Sequence, residues 1–64
     1  MVKINGEETM AQGISVLQYL SSANYDLKFV AVERNGEIVP KGKYGDVILA
    51  DGDSVEIVCF VGGG

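Results

Sequence analysis

Val2 and Ile4 alternate with Lys3 and Asn5, and Asn5-Gly6 then supplies a pair that tolerates positive φ in a two-residue hairpin turn. The alternation predicts a first hairpin that returns through about Glu8 to Ala11. After Gly13 the period changes. Val16, Leu17, Leu20 and Ala23 fall three or four residues apart, the stripe of a short helix over Val16 to Ala23. Ser15 and Gln18 have the separation of a capping box, Ile14 can staple onto Tyr19, and Asn24 suits a left-handed stop. So short a helix depends on packing for its stability.

Phe29 to Val32 is apolar at both parities, as in a strand covered on both faces. Asn35-Gly36 is a second hairpin signal with Glu37-Ile38-Val39 as its return, and Pro40 keeps that return strand from being central. Lys41 to Asp46 reads as a loop or single helical turn, Val47-Ile48-Leu49 as a short apolar run, Asp51-Gly52-Asp53 as a turn, and Ser54 to Val61 as the last strand. This order predicts an α+β fold, a mixed four- to five-stranded sheet with one helix packed across one face. A right-handed crossover would insert the last strand beside the first and parallel to it, the β-grasp arrangement. Ile4, Leu17, Leu20, Val32, Val55 and Ile57 are the expected core. Residues 1–61 form one domain, and 62–64 a flexible glycine tail.

Alternation puts Val55, Ile57, Cys59 and Val61 of the last strand toward the helix, and Ser54, Glu56, Val58 and Phe60 outward. The outer row begins polar and turns apolar at Val58 and Phe60, a candidate partner-docking patch beside the tail. Gly62, Gly63 and Gly64 have no Cβ to obstruct another protein's backbone, and reach roughly 10 Å past the strand. The tail reads as a substrate arm ending in the Gly64 carboxylate. A carboxylate is a poor electrophile until it is activated. Transfer of AMP from ATP makes it a mixed anhydride that a sulfur or amine nucleophile can attack. The sequence has no Gly-rich phosphate cradle with its Lys, so ATP, Mg²⁺ and the cationic clamps are expected on a partner, with no cofactor or metal bound here.

Composition narrows the chemistry further. Five Lys and Arg against nine Asp and Glu give a net charge of −4, the wrong sign for neutralising nucleic-acid phosphates. With no His and one Cys, a Cys/His catalytic pair, a zinc site built from those ligands and an internal disulfide are all excluded. The apolar runs Val47 to Ala50 and Ile57 to Val61 fall far short of the roughly 20 residues that cross a bilayer. Met1 to Gly6 already reads as strand and turn, so no leader is expected and the protein is expected in the cytoplasm. It would be consumed and regenerated, a co-substrate and not an enzyme.

Four stretches in this order, Ile4-Asn5-Gly6-Glu7, Val16-Leu17-x-x-Leu20, Val30 to Gly36 with Val39-Pro40, and Asp51 to Ile57 before Val61-Gly62-Gly63-Gly64, resemble the thiamine-biosynthesis sulfur carrier family, bacterial β-grasp relatives of ubiquitin. The resemblance implies that Gly64 is adenylated by an E1-like adenylyltransferase and converted to a thiocarboxylate that donates sulfur to thiazole synthase. A desulfurase or sulfurtransferase would supply the sulfur. Gly63 is then half of the required Gly-Gly end. The small subunit of molybdopterin synthase, a ubiquitin-like modifier delivered to lysines, and an interaction domain with an inert tail are the other readings. Cys59 lies near the sulfur-bearing end, which invites a persulfide or thioester role. Its parity makes it a small buried hydrophobe instead.

Overall fold

Both Asn-Gly pairs make the turns expected of them. Asn5 and Gly6 have φ of 51° and 86°, and Asn35 and Gly36 repeat those values, the doubly positive combination that matches the twist of a two-residue hairpin. The first joins β1 (Val2–Ile4) to β2 (Glu7–Thr9), and the second joins β3 (Val30–Arg34) to β4 (Glu37–Val39). The computed structural model describes residues 1–60. Between the hairpins lie one α-helix, α1 (Val16–Ser22), and a 3₁₀ turn (Leu27–Phe29), and β5 (Ser54–Cys59) is the last described strand. The sheet runs β2-β1-β5-β3-β4, with β5 parallel to β1 and antiparallel to β3. The last strand is thus central, and the Pro40-terminated β4 lies at an edge, as the sequence implies.

The two turn asparagines also hold β5 in place. Lys3 and Asn5 donate backbone N–H groups to the carbonyls of Asp53 and Val55. There β1 turns away, and the Asn5 side chain takes over: its Nδ2 donates to the Ile57 carbonyl at 3.2 Å and its Oδ1 accepts from the Ile57 N–H at 2.7 Å. One amide thereby stands in for a further residue of parallel strand. On the other side, Asn35 Oδ1 accepts from the Ser54 N–H at 2.8 Å. Asparagine suits both roles because it tolerates the left-handed backbone and carries a donor and an acceptor.

The capping box of α1 is formed: the Gln18 N–H donates to Ser15 Oγ at 3.0 Å and the Ser15 N–H to Gln18 Oε1 at 2.9 Å. Asn24 follows the helix at φ 63°. Val16 and Leu20 are buried against Val2, Ile4, Val30, Val32, Val55 and Ile57. One expected core member, Leu17, and one residue of the helix stripe, Ala23, are not there. Leu17 is 37% exposed and Ala23 is exposed, because a helix this short buries the line through Val16 and Leu20, and Leu17 is about 100° around from Val16. Leu17 instead flanks the segment after β4, with its Cδ2 3.7 Å from where a Cβ on Gly45 would stand.

That segment is more than a loop. After a single 3₁₀ turn (Lys41–Lys43), Tyr44 and Leu49 are buried in the core. The carbonyls of Val47 and Tyr44 accept from the N–H groups of Val16 and Leu17 at 2.9 Å each, satisfying donors that a helix start leaves unpaired. Gly13 N–H to Leu49 O and Leu49 N–H to Ile14 O, both 2.8 Å, fasten it to the entry of α1.

Asp53 ties this segment to the second hairpin. Its buried carboxylate accepts from Arg34 Nε at 2.8 Å, Asn35 Nδ2 at 3.0 Å and the Ala50 N–H at 2.8 Å. Burial alone raises its pKa, but the bonds from Ala50, Asn35 and Arg34, with the guanidinium charge, outweigh it and hold the carboxyl below its ordinary value. A depressed native pKa contributes stability that is present above the unfolded value of about 4 and is lost as pH falls through the native one. We therefore expect Asp53→Ala to cost about 2 kcal/mol at pH 7, because it strands the Asn35 and Ala50 donors. In urea denaturation the gap to the unaltered protein should narrow below about pH 4. A gap independent of pH would refute this account.

Candidate functional site

The candidate site is built on β5 because that strand has a neighbour on each side and its chain direction leads to the glycine tail. Ala31 stands opposite Val58 and Glu33 opposite Glu56 across β3 and β5, while Ile38 of β4 stands opposite Glu33. Alternation puts all of these on the outer face, away from α1. Val58 is 57% and Phe60 48% exposed there, the orientation expected from the sequence, and Ile38 joins them at 68%. Ile38 was not among the expected docking residues. A two-residue turn at Asn35-Gly36 fixes the pairing of β4 with β3, so the sequence held the signal that puts Ile38 on that face.

Phe60 is anchored as well as exposed. Its N–H donates to the Phe29 carbonyl at 2.9 Å, and its ring meets that of Phe29 edge to face with centroids 6.3 Å apart. Lys41 Nζ lies 6.0 Å from the Phe60 centroid and donates to the Lys28 carbonyl at 3.1 Å. A stacked ring under a cation has fewer orientations to lose on binding than a free one.

Cys59 is exposed, contrary to the expectation of a buried thiol. Its parity was right, since it pairs with the buried Val30. What fails is lateral cover. Pairing with β1 ends at Ile57, where the Asn5 amide makes the last bonds, so Cys59 has a neighbour strand on the β3 side alone. Val61, Gly62, Gly63 and the expected acyl-bearing residue Gly64 lie outside the described residues. Among the described residues no cluster of His, Cys, Asp or Glu is arranged to hold a metal, and no helix is long and apolar enough to cross a membrane.

The family model for the ThiS family matches residues 1–64. The chain belongs to the ThiS family. Sulfur carrier protein ThiS of Bacillus subtilis is 41% identical over 66 residues, with the whole of both chains covered. The crystal structure of thiamine biosynthesis protein ThiS from Geobacter metallireducens matches with a TM-score of 0.77 at 31% identity, covering 98% of this chain and 97% of that one. The mixed sheet with one helix is thus the β-grasp fold of ThiS structures, as the sequence predicts. A third relative is named thiazole synthase, from Paramagnetospirillum magneticum; it is 50% identical over 62 residues, which are 95% of this chain. This chain spans only 19% of that relative's length.

Proposed function

We propose that this ThiS-family chain carries sulfur as a thiocarboxylate on Gly64. An E1-like adenylyltransferase, using ATP and Mg²⁺, transfers AMP to the Gly64 carboxylate with release of pyrophosphate. Hydrosulfide, freed by a thiol reductant from the persulfide of a desulfurase or sulfurtransferase, then attacks the acyl carbon and expels AMP, and the resulting thiocarboxylate passes its sulfur to a thiazole synthase, with water supplying the oxygen that replaces it. The chain returns with its carboxylate restored, so it acts as a co-substrate, in the cytoplasm. The observation that carries this reading is the match to the ThiS family along the full 64 residues, tail glycines included. With the activating enzyme, ATP and a sulfur source, intact-mass measurement should show one oxygen-for-sulfur exchange. An unchanged mass under conditions in which Bacillus ThiS reacts would reject the assignment, and an isopeptide-linked ladder in lysate would favour a protein modifier.

Val58 and Phe60 supply the apolar contact for partner enzymes in this scheme. Val58→Glu should weaken binding about tenfold or more, since a carboxylate is costly in an apolar interface core. Stability should change little, because Val58 already faces solvent. Phe60→Glu should weaken binding similarly, with a small added loss from the broken contact with Phe29. Calorimetric titration of partner against each variant, beside urea denaturation, checks both. A collapse of stability in Val58→Glu would mean that this face is packed, not open.

A further inference from the structure

Of the three asparagines with positive φ, Asn5 and Asn35 precede glycine, and Asn24 precedes Tyr25. An Asn-Gly junction can close on itself. The glycine nitrogen attacks the asparagine Cγ, and its proton passes by way of water to the amide nitrogen, which departs as ammonia when the Cγ–Nδ2 bond breaks. Water then opens the resulting succinimide at either carbonyl. The product is aspartate or isoaspartate, with no redox change and no other reactant. Glycine favours the closure because it has no Cβ to crowd the attacking nitrogen. Nothing stands within 4 Å of where a Cβ would sit on Gly6 or Gly36, and both turns are exposed, so water reaches them equally.

What differs is how firmly each amide is held. An amide bonded at both Oδ1 and Nδ2 is not free to swing toward the glycine nitrogen, so closure waits on release of those bonds. Asn35 Nδ2 donates to the Asp53 carboxylate, a group 8% exposed that Arg34 and the Ala50 N–H also hold, and β3 pairs with β5 at five positions. Releasing this amide leaves a buried charge short of a donor. Asn5 is bonded instead to the neutral N–H and carbonyl of Ile57, and β1 pairs with β5 at only two positions. Past Ile57 that side of β5 pairs with no strand among the described residues. The released Ile57 groups therefore meet water.

We propose that Asn5 is a site of spontaneous deamidation, gated by fraying of the β1–β5 junction, and that its conversion retires the chain as a carrier. Aspartate here loses the donor to the Ile57 carbonyl and sets a negative oxygen beside that carbonyl in its place. Isoaspartate does more. It adds a methylene to the main chain inside a two-residue turn whose geometry sets the register of β1 with β2. Either product loosens β5 from Ile57 onward, the stretch that leads to the tail. This consequence, unlike the conversion itself, rests on the sulfur-carrier reading above. A co-substrate returned after each cycle is subject to the change for as long as it circulates.

Peptide mapping of the purified chain during incubation at mildly alkaline pH, with aspartyl and isoaspartyl products separated, reads the two sites side by side. Asn5 should convert about tenfold faster than Asn35, the difference between releasing an amide from neutral partners and from a carboxylate. In urea both rates should rise and converge, since each site is then an unconstrained Asn-Gly junction. Equal rates in the folded chain, faster conversion of Asn35, or an Asn5 rate that urea does not change overturns the proposal. Sulfur uptake, followed by intact mass on the same samples, should fall in step with Asn5 conversion. Asn5→Gly keeps the left-handed turn and has no amide to lose, so its uptake should start lower and hold steady over the same period. Full uptake by chains converted at Asn5 overturns the retirement and leaves the modification site standing. A fresh, unaltered chain that takes up no sulfur beside an active Bacillus ThiS sinks the sulfur-carrier reading instead, while conversion at Asn5 is still read by the mapping.

Discussion

Deleting Gly64 is expected to abolish the oxygen-for-sulfur exchange while leaving the folded domain unchanged. The described core and the described sheet pairings fall within residues 1–60, so circular dichroism and the urea midpoint should not move. The shortened chain still ends in a glycine carboxylate, and this makes the experiment informative. Loss of one residue withdraws that carboxylate by up to about 3.5 Å from the position it must reach. Reacting atoms have to approach within about 3–3.5 Å with their orbitals aligned, and a misplacement of about 1 Å already costs on the order of a hundredfold. A domain docked through Val58 and Phe60 cannot slide forward to compensate without giving up that contact. Adenylation should therefore fall at least a thousandfold, on the order of detection limits, when followed by ATP–pyrophosphate exchange and intact mass. Gly64→Ala keeps the length and adds only a methyl group, so it should retain more activity than the deletion. Equal exchange in the deletion and the unaltered chain would show that activation does not depend on how far the terminal carboxylate reaches.

Much of the scaffold under this site was legible because its signals are local. A positive-φ pair such as Asn5-Gly6 or a cap such as Ser15 with Gln18 is decided within four residues, and both formed as read. Alternation along β5 likewise gave the orientation of Val55, Ile57, Val58 and Phe60 without knowledge of any partner strand. Errors arose where a residue's surroundings depend on segments far away in sequence. Cys59 has inward parity and is still exposed, because β1 gives way to the Asn5 amide at Ile57. Leu17 belongs to the apolar stripe yet packs beside Gly45 at the rim, since a seven-residue helix covers one line of the sheet. The second uses made of Asn5 and Asn35, as clamps on β5, depend on distances across the sheet that turn chemistry does not encode.

Leu49 gives the sharpest form of that contrast and a second large expected effect. In sequence it is the end of a three-residue apolar run between two turns, no more distinguished than Ile48 beside it. In the fold Leu49 is 2% exposed and Ile48 52%. Leu49→Ala should cost about 3 kcal/mol, the sum of lost transfer energy and an unfilled cavity under α1. A domain of this size has a total stability of only about 3–10 kcal/mol, so the variant should be partly unfolded at 37 °C. Ile48→Ala should cost under about 1 kcal/mol, since little of that side chain leaves water on folding. Urea denaturation of the two variants, analysed at a common slope, separates them. Near-equal costs would mean that the stretch from Tyr44 to Leu49 is a loose cover. A gap of about 2 kcal/mol would establish it as a wall of the core beside β4, where Tyr44 and Val47 line cavities with Ile38 and Val39.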